Sequence, residues 1–305
     1  MKGLIMPRLA VLSLCAAAAP ARAQSVGEAA PVAANHRIAA HLEVRAGTPH
    51  AVDERADVPA TTTPFQAGST DLTVRYSTSG SWELGLRASW LSVSVLQPGG
   101  STVTERSFGN PVLDASRQVG DGRVGDWDLQ KRVMGGIGIP LACARDESTH
   151  CGAAFALADA LTGWSQVELY QRNALPVLTG LTTNASRGPW TLAGGLRLPL
   201  SVRISDEESE YRAGNPIGLL LTTWADAAVS PVDWWSAGVR VRAAYSALPL
   251  VEPATGDWPR LQLAVEPRTG FKTVGGTTFR LSATLGLRGP LSGSRAVGVG
   301  VGRSF

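Results

Sequence analysis

Long apolar runs are missing from this chain of 305 residues. No stretch after the first twenty residues approaches the eighteen or so uninterrupted apolar positions of a membrane-spanning helix, which excludes that element. Histidine is scarce, limited to His36, His41, His50 and His150. No G-x-S-x-G turn occurs, since GWSQV at 163–167 lacks its second glycine. A hydrolase built on a nucleophile elbow is therefore excluded, and little remains for general acid–base work. The glycines of GVGVG at 298–302 repeat with period two, so all three fall on one face of a strand. They are packing residues rather than a phosphate cradle, and no cofactor is implied.

Lysine is equally sparse: Lys2, Lys131 and Lys272 are the only three. Lys2 belongs to a front end with its own logic. Lys2 and Arg8 precede an apolar run from Leu9 to Ala19, and Ala21-Arg22-Ala23 has the small-x-small form of a signal-peptidase site. Residues 1–23 read as a cleaved Sec signal peptide, with 24–35 an N-terminal tail and 36–305 the folded body. Cleavage removes Lys2, Arg8 and Arg22, and leaves 25 basic residues against the 25 acidic ones of the whole chain. The precursor's net charge of +3 disappears with the signal, and with it any argument for a nucleic-acid partner. Nearly all the remaining positive charge is arginine.

Two of the three cysteines survive processing, Cys143 and Cys151, bracketing ARDESTH. In an exported chain this close pair is expected to form a disulfide, contributing roughly 2.5 kcal/mol in the chain-entropy model. His150 lies beside it, but the spacing fits no common zinc pattern, and no metal site is assigned. The acidic run Asp206, Glu207, Glu208 and Glu210 lacks the spaced ligands and glycine of a calcium loop, and reads as a solvated loop.

What the chain has in abundance is alternation. Ile38, Ala40, Leu42 and Val44 share a face opposite Arg37, His41, Glu43 and Arg45. The same two-residue period recurs at 71–76, 82–90, 190–204, 217–225, 261–268 and 279–288, with turn-rich breaks between. One further strand fixes a dimension. Trp235 and Tyr245 bracket an aliphatic face ten residues apart, or about 25 Å at 3.3 Å per residue and a tilt near 40°. That is the height of a bilayer's apolar band with an aromatic girdle at each edge; Trp82, Trp90 and Trp190 are assigned to the same girdle. Breaks at 47–69, 97–122, 205–214 and 247–257 are long, while those near 77–81 and 230–233 are short. The pattern predicts an all-β fold, an antiparallel up-and-down transmembrane barrel of twelve strands, with fourteen as the alternative. The uncertainty in number sits in 135–188, taken to supply two strands or four. Lys131, outward by parity in the strand near 124–134, implies that this strand is misregistered or bulged.

The chain ends SRAVGVGVGRSF, with Val297, Val299, Val301 and Phe305 on one face and small residues on the other. This resembles the assembly signal of Gram-negative outer-membrane β-barrels, although Arg303 stands where that class usually has a second aromatic. The resemblance implies insertion by the barrel-assembly machinery through the last strand. It also implies a periplasmic C-terminus, extracellular long loops, and contact with outer-membrane lipids and lipopolysaccharide. Five segments in order resemble the MetA-pathway of phenol degradation transporter family. They are SGSWELGLRASW (79–90), GDWDLQ (125–130), WTLAGGLRLPLS (190–201), the stretch 215–246, and FRLSATLGLRGPLSGSRAVGVGVGRSF (279–305). The resemblance covers about half the chain, and 135–188 has no counterpart. The family resemblance implies a channel for small hydrophobic or aromatic compounds.

Parity turns Arg37, Arg45, Arg75, Arg87, Arg197, Arg203, Arg240, Arg242, Arg260, Arg280 and Arg288 toward the interior. Arg268 joins them, and Glu43, Asp71, Glu83, Asp226 and Glu266 face the same way. Arginine outnumbers acid about two to one in this set, which favours passage of anionic small solutes. Two alternatives stand beside the channel: a closed structural or adhesion barrel acting through its loops, and an outer-membrane lipid hydrolase of the phospholipase or lipid A deacylase type. The hydrolase would need His41 in reach of an activated hydroxyl, and no catalytic residue is assigned.

Overall fold

Alternating strands with one apolar face leave a single way to satisfy both faces and every edge, which is to close the sheet on itself. The computed structural model does this. It describes residues 37–48, 66–78, 81–96, 102–142, 166–169, 174–204, 217–248, 261–288 and 293–305. The signal sequence, the 24–35 tail, His36, His50, His150, Cys143, Cys151, the acidic run at 206–210 and Arg260 lie outside them.

The strands are β1 (Arg37–Thr48), β2 (Gln66–Ser77), β3 (Trp82–Leu96), β4 (Thr102–Phe108), β5 (Val112–Val124), β6 (Trp127–Gly138), β7 (Ala174–Arg187), β8 (Trp190–Arg203), β9 (Ile217–Val232), β10 (Trp235–Leu248), β11 (Leu261–Lys272), β12 (Thr278–Arg288) and β13 (Arg295–Ser304). Each pairs antiparallel with its neighbour. Closure comes from β1 on β13, in register from Ala39 opposite Ser304 to Thr48 opposite Arg295. The Phe305 amide adds a bond to the Ile38 carbonyl at 2.8 Å.

Thirteen segments make twelve staves. β3 pairs with β4 from Leu96 to Trp90 and with β5 from Arg87 to Trp82, so β4 and β5 are one stave interrupted at Gly109-Asn110-Pro111. Pro111 has no amide to give the ladder, and the break falls there. The expected count of twelve holds, but two assignments behind it are corrected. The supposed long break at 97–122 is mostly strand, because Leu113 and Ala115 alternate with Asp114 and Ser116 on a strand whose polar face is inward. Within 135–188 only β7 and the end of β6 are strand among the described residues.

Both chain ends of the barrel and the five short turns share one rim, here the turn end; the long breaks share the other, the loop end. Gly125 and Gly188 turn their hairpins with φ of 62° and 54°, the left-handed region that glycine enters without strain. Aromatics crowd the turn end. Trp82, Trp190 and Trp235 each open a strand, and Phe271, Phe279 and Phe305 join them on the outer face. Trp90 and Tyr245 face outward further toward the loop end, Trp90 meeting Phe108 edge-on at 4.3 Å.

The burial pattern is that of an inverted protein. Val297, Val299 and Val301 are exposed on the outer wall, as are Leu281, Leu285, Val239 and Val241, while charged residues alternating with them are buried within.

Candidate functional site: a charged interior

Because inward positions are polar, the interior is held by ion pairs rather than by apolar packing. Side chains from β9 around to β2 form one network. Glu266 lies at its centre, 1% exposed. Its carboxylate accepts hydrogen bonds from Arg242 at 2.8 Å and from Arg280, and stands 3.7 Å from Arg45. Arg45 also pairs with Glu43 at 3.1 Å and reaches Asp71 at 4.0 Å. Asp226 receives both Arg240, at 2.9 Å, and Arg268. Five arginines thus meet four carboxylates. On the adjoining strands β2, β3, β5 and β6, Arg75 pairs with Glu83, which Arg132 also reaches at 3.2 Å, and Arg87 donates to Asp114 at 3.0 Å.

The second network includes a visitor. A single 3-10 turn, Val167–Leu169, is folded inward against the wall. Its Glu168 accepts from Arg87 at 2.5 Å. Asn110, freed by the break in the β4–β5 stave, holds it in place. The Asn110 amide nitrogen of the main chain donates to the Leu169 carbonyl at 2.6 Å, and its side chain donates to the Glu168 carbonyl at 3.2 Å. The Asn110 side-chain oxygen accepts from the Ala142 amide at 2.8 Å. Gly109 permits the approach, since a β-carbon there would stand 2.5 Å from the Leu169 carbonyl oxygen.

Glycine also shapes β13. A β-carbon on Gly298 would sit 2.6 Å from the Ser282 hydroxyl and 2.9 Å from a Glu43 carboxylate oxygen; one on Gly300 would sit 2.8 Å from the His41 ring. Side chains of β1 and β12 therefore lie over a bare strand. His41 faces inward with its Nε2 3.8 Å from Glu43, separated by the wall from any outer surface where a lipid ester would lie.

The interior is not evenly filled. At mid-height the inward side chains of β10 to β3 are buried, among them Arg242, Glu266, Arg280, Glu43, Asp71 and Arg87. On β6 to β9, Arg132, Met134, Arg197 and Trp224 are half-buried, while Leu178, Thr182, Ser201, Thr222 and Asp226 on the same faces are buried. Trp224 lies over Gly195, where a β-carbon would meet its indole nitrogen at 2.5 Å, and the Arg240 guanidinium stacks on the ring at 4.7 Å.

Of the arginines expected inside, Arg45, Arg87, Arg240, Arg242 and Arg280 are buried in the networks, and Arg75 is half-buried there. Arg197 and Arg203 are half-buried on β8; Arg37 and Arg288 are exposed at the two rims. The expected excess of arginine over acid is not found in the networks, because Asp114 and Glu168 add to the acids. Asp114 sits in the segment expected to be a long loop, and Glu168 in 135–188, which was expected to supply two strands or four. Asp114 was recoverable from the alternation of Leu113-Asp114-Ala115-Ser116; Glu168 had no local signal.

A closed antiparallel barrel of twelve staves, polar within and apolar without, is the architecture of outer-membrane β-barrels. No family model matches the chain, and no curated protein sequence matches it. Among solved structures it is similar to an outer membrane channel from Pseudomonas putida F1, 11% identical, with a TM-score of 0.61 over 93% of this chain and 100% of that one. It is less similar to the translocator domain of the autotransporter NalP from Neisseria meningitidis, at 12% identity and a TM-score of 0.43 over 88% of each chain. LpxR from Salmonella typhimurium gives 7% identity and 0.43 over 86% of this chain and 99% of that one. The first of these establishes the shared fold.

Proposed function

We propose that the chain is an outer-membrane channel that passes small anionic solutes, aromatic ones included, along the β6–β9 side of its lumen. One observation carries the reading: Arg132, Arg197 and Trp224 are half-buried on the inner face of β6 to β9, while most charged side chains of the networks are buried. Two accessible guanidiniums, one of them also held by Glu83 at 3.2 Å, favour an anion in a low-dielectric passage, and an indole offers it a flat apolar surface. The resemblance to the MetA-pathway family agrees with an aromatic solute. The outer apolar band, flanked by aromatics, supports membrane insertion. The terminal strand supports delivery by the barrel-assembly machinery, with the turn end periplasmic and the long loops extracellular.

The test is single-channel recording on refolded protein in planar bilayers. Anion-selective steps are expected, with the reversal potential moving toward cation selectivity in Arg197→Glu. Repeated reconstitution of folded protein without steps refutes the channel and leaves a closed barrel working through its loops.

A further inference from the structure

Two cations face the wrong way for an interior network. Arg117 on β5 and Lys131 on β6 both point outward and are exposed. Lys131 neighbours Gly120 across a register shift between Gln118 and Gly120, and Arg117 sits opposite Val133, two residues further along β6. The unpaired residue of that shift is Val119 of β5, so the strand expected to be misregistered or bulged runs without interruption through Lys131 and leaves the lysine on the outer wall. Neither cation has a carboxylate partner among the described residues.

Height decides what such charges meet. Arg117 is directly opposite Trp82, and its guanidinium lies 5.5 Å from the centre of that ring. In a barrel whose strands tilt by about 40°, a hydrogen-bonded row climbs about 3 Å per strand, while a strand climbs about 2.5 Å per residue. From Trp82 the row climbs through Arg117 to Val133, and Lys131 lies two residues back toward the turn end. The two effects nearly cancel, so Lys131 stands at the level of the Trp82 girdle. A cation at that depth is beside lipid headgroups rather than at mid-bilayer, where it would be costly. Beside it the wall is bare: β-carbons at Gly120 and Gly122 would meet nothing within 4 Å. A headgroup can approach the backbone there, with the Thr183 side of β7 closing the other flank of Lys131.

We propose that Arg117 and Lys131 form a site on the outer wall for the phosphate of an anionic phospholipid in the leaflet at the turn end. Trp82 holds the Arg117 guanidinium in place, and Gly120 and Gly122 give the headgroup room. The proposal rests on the membrane-inserted reading above. A zwitterionic lipid offers the same phosphate together with an ammonium that these cations repel, so the site discriminates by net charge.

The experiment uses full-length mature protein, refolded in detergent, checked for heat-modifiable migration, and titrated with phosphatidylglycerol or phosphatidylcholine under native mass spectrometry. Preferential retention of phosphatidylglycerol is expected, and its apparent affinity falls by roughly thirtyfold in the double variant Arg117→Gln, Lys131→Gln. Arg303→Gln, which removes another cation at the same rim, leaves the preference intact, and added inorganic phosphate does not displace the lipid. Equal retention of both lipids, or a double variant that retains phosphatidylglycerol as well as the parent, overturns the proposal. So does a preference that Arg303→Gln weakens equally. Failure of folded protein to insert into phosphatidylcholine vesicles overturns the membrane reading instead, and is scored separately.

Discussion

Replacing Glu266 by glutamine keeps the shape of the most buried acid in the barrel and removes its charge. Its carboxylate is shared by Arg242 at 2.8 Å, Arg45 at 3.7 Å and Arg280. Arg45 keeps Glu43 at 3.1 Å, whereas Arg242 and Arg280 both direct a charged hydrogen bond at Glu266. Breaking a buried pair from one side costs about 3–5 kcal/mol, because the partner's charge is left uncompensated. Here three guanidiniums lose a shared carboxylate at once, so the upper part of that range is expected. Urea unfolding of the refolded barrel, followed by tryptophan fluorescence and gel migration, measures it. A second variant separates charge from shape. Glu266→Gln combined with Arg242→Gln removes one of the stranded cations, and recovers at least about 1 kcal/mol of the loss. A single variant within about 0.5 kcal/mol of the parent refutes the claim that Glu266 holds the network. A double variant no better than the single one refutes the electrostatic cause.

Three further expectations follow from the geometry. Asn110→Ala leaves the Ala142 amide and the Glu168 carbonyl without their side-chain partner, which costs about 2–4 kcal/mol and exposes 166–169 to limited proteolysis in an otherwise folded barrel; unchanged protection contradicts this. Gly298→Val forces a branched side chain against Ser282 and Glu43, and is expected to destabilise by about 1–3 kcal/mol in the same urea assay. Trp224→Ala removes the Arg240 stacking, costs about 1 kcal/mol, and raises single-channel conductance by widening the β6–β9 passage; an unchanged conductance places the passage elsewhere.

Period-two patterning was enough for the barrel and the inward face of most strands, while the count of twelve came out right because a stave missed at 102–124 offset one too many expected in 135–188. It worked because each outward residue meets an apolar surroundings and each inward one a polar lumen, so every strand reports both. It failed at 97–122, where Asp114, Ser116, Arg117 and Arg123 make a strand look like a loop. Two of those polar residues face the network and Arg117 faces outward at the girdle, a combination that hydropathy alone scores as solvent. Glu168 was illegible for another reason. Its partner Arg87 is distant in sequence, and only a chain reversal into the lumen brings them together. Trp224 drew no attention, since its meaning depends on Gly195 and Arg240 on the strands to either side.

The bare inner face of β13 has a mechanical consequence. In any barrel the join between first and last strands is where the sheet is completed, and backbone pairing alone closes it. Here Glu43 of β1 accepts a hydrogen bond from Ser282 of β12, and Arg45 of β1 reaches Glu266 of β11. Both contacts pass over the glycines of β13 rather than through it. The join is therefore bolted from within by side chains of β1, β11 and β12, with none supplied by β13. Parting β13 from β1 would have to break buried charge contacts as well as a ladder of amides.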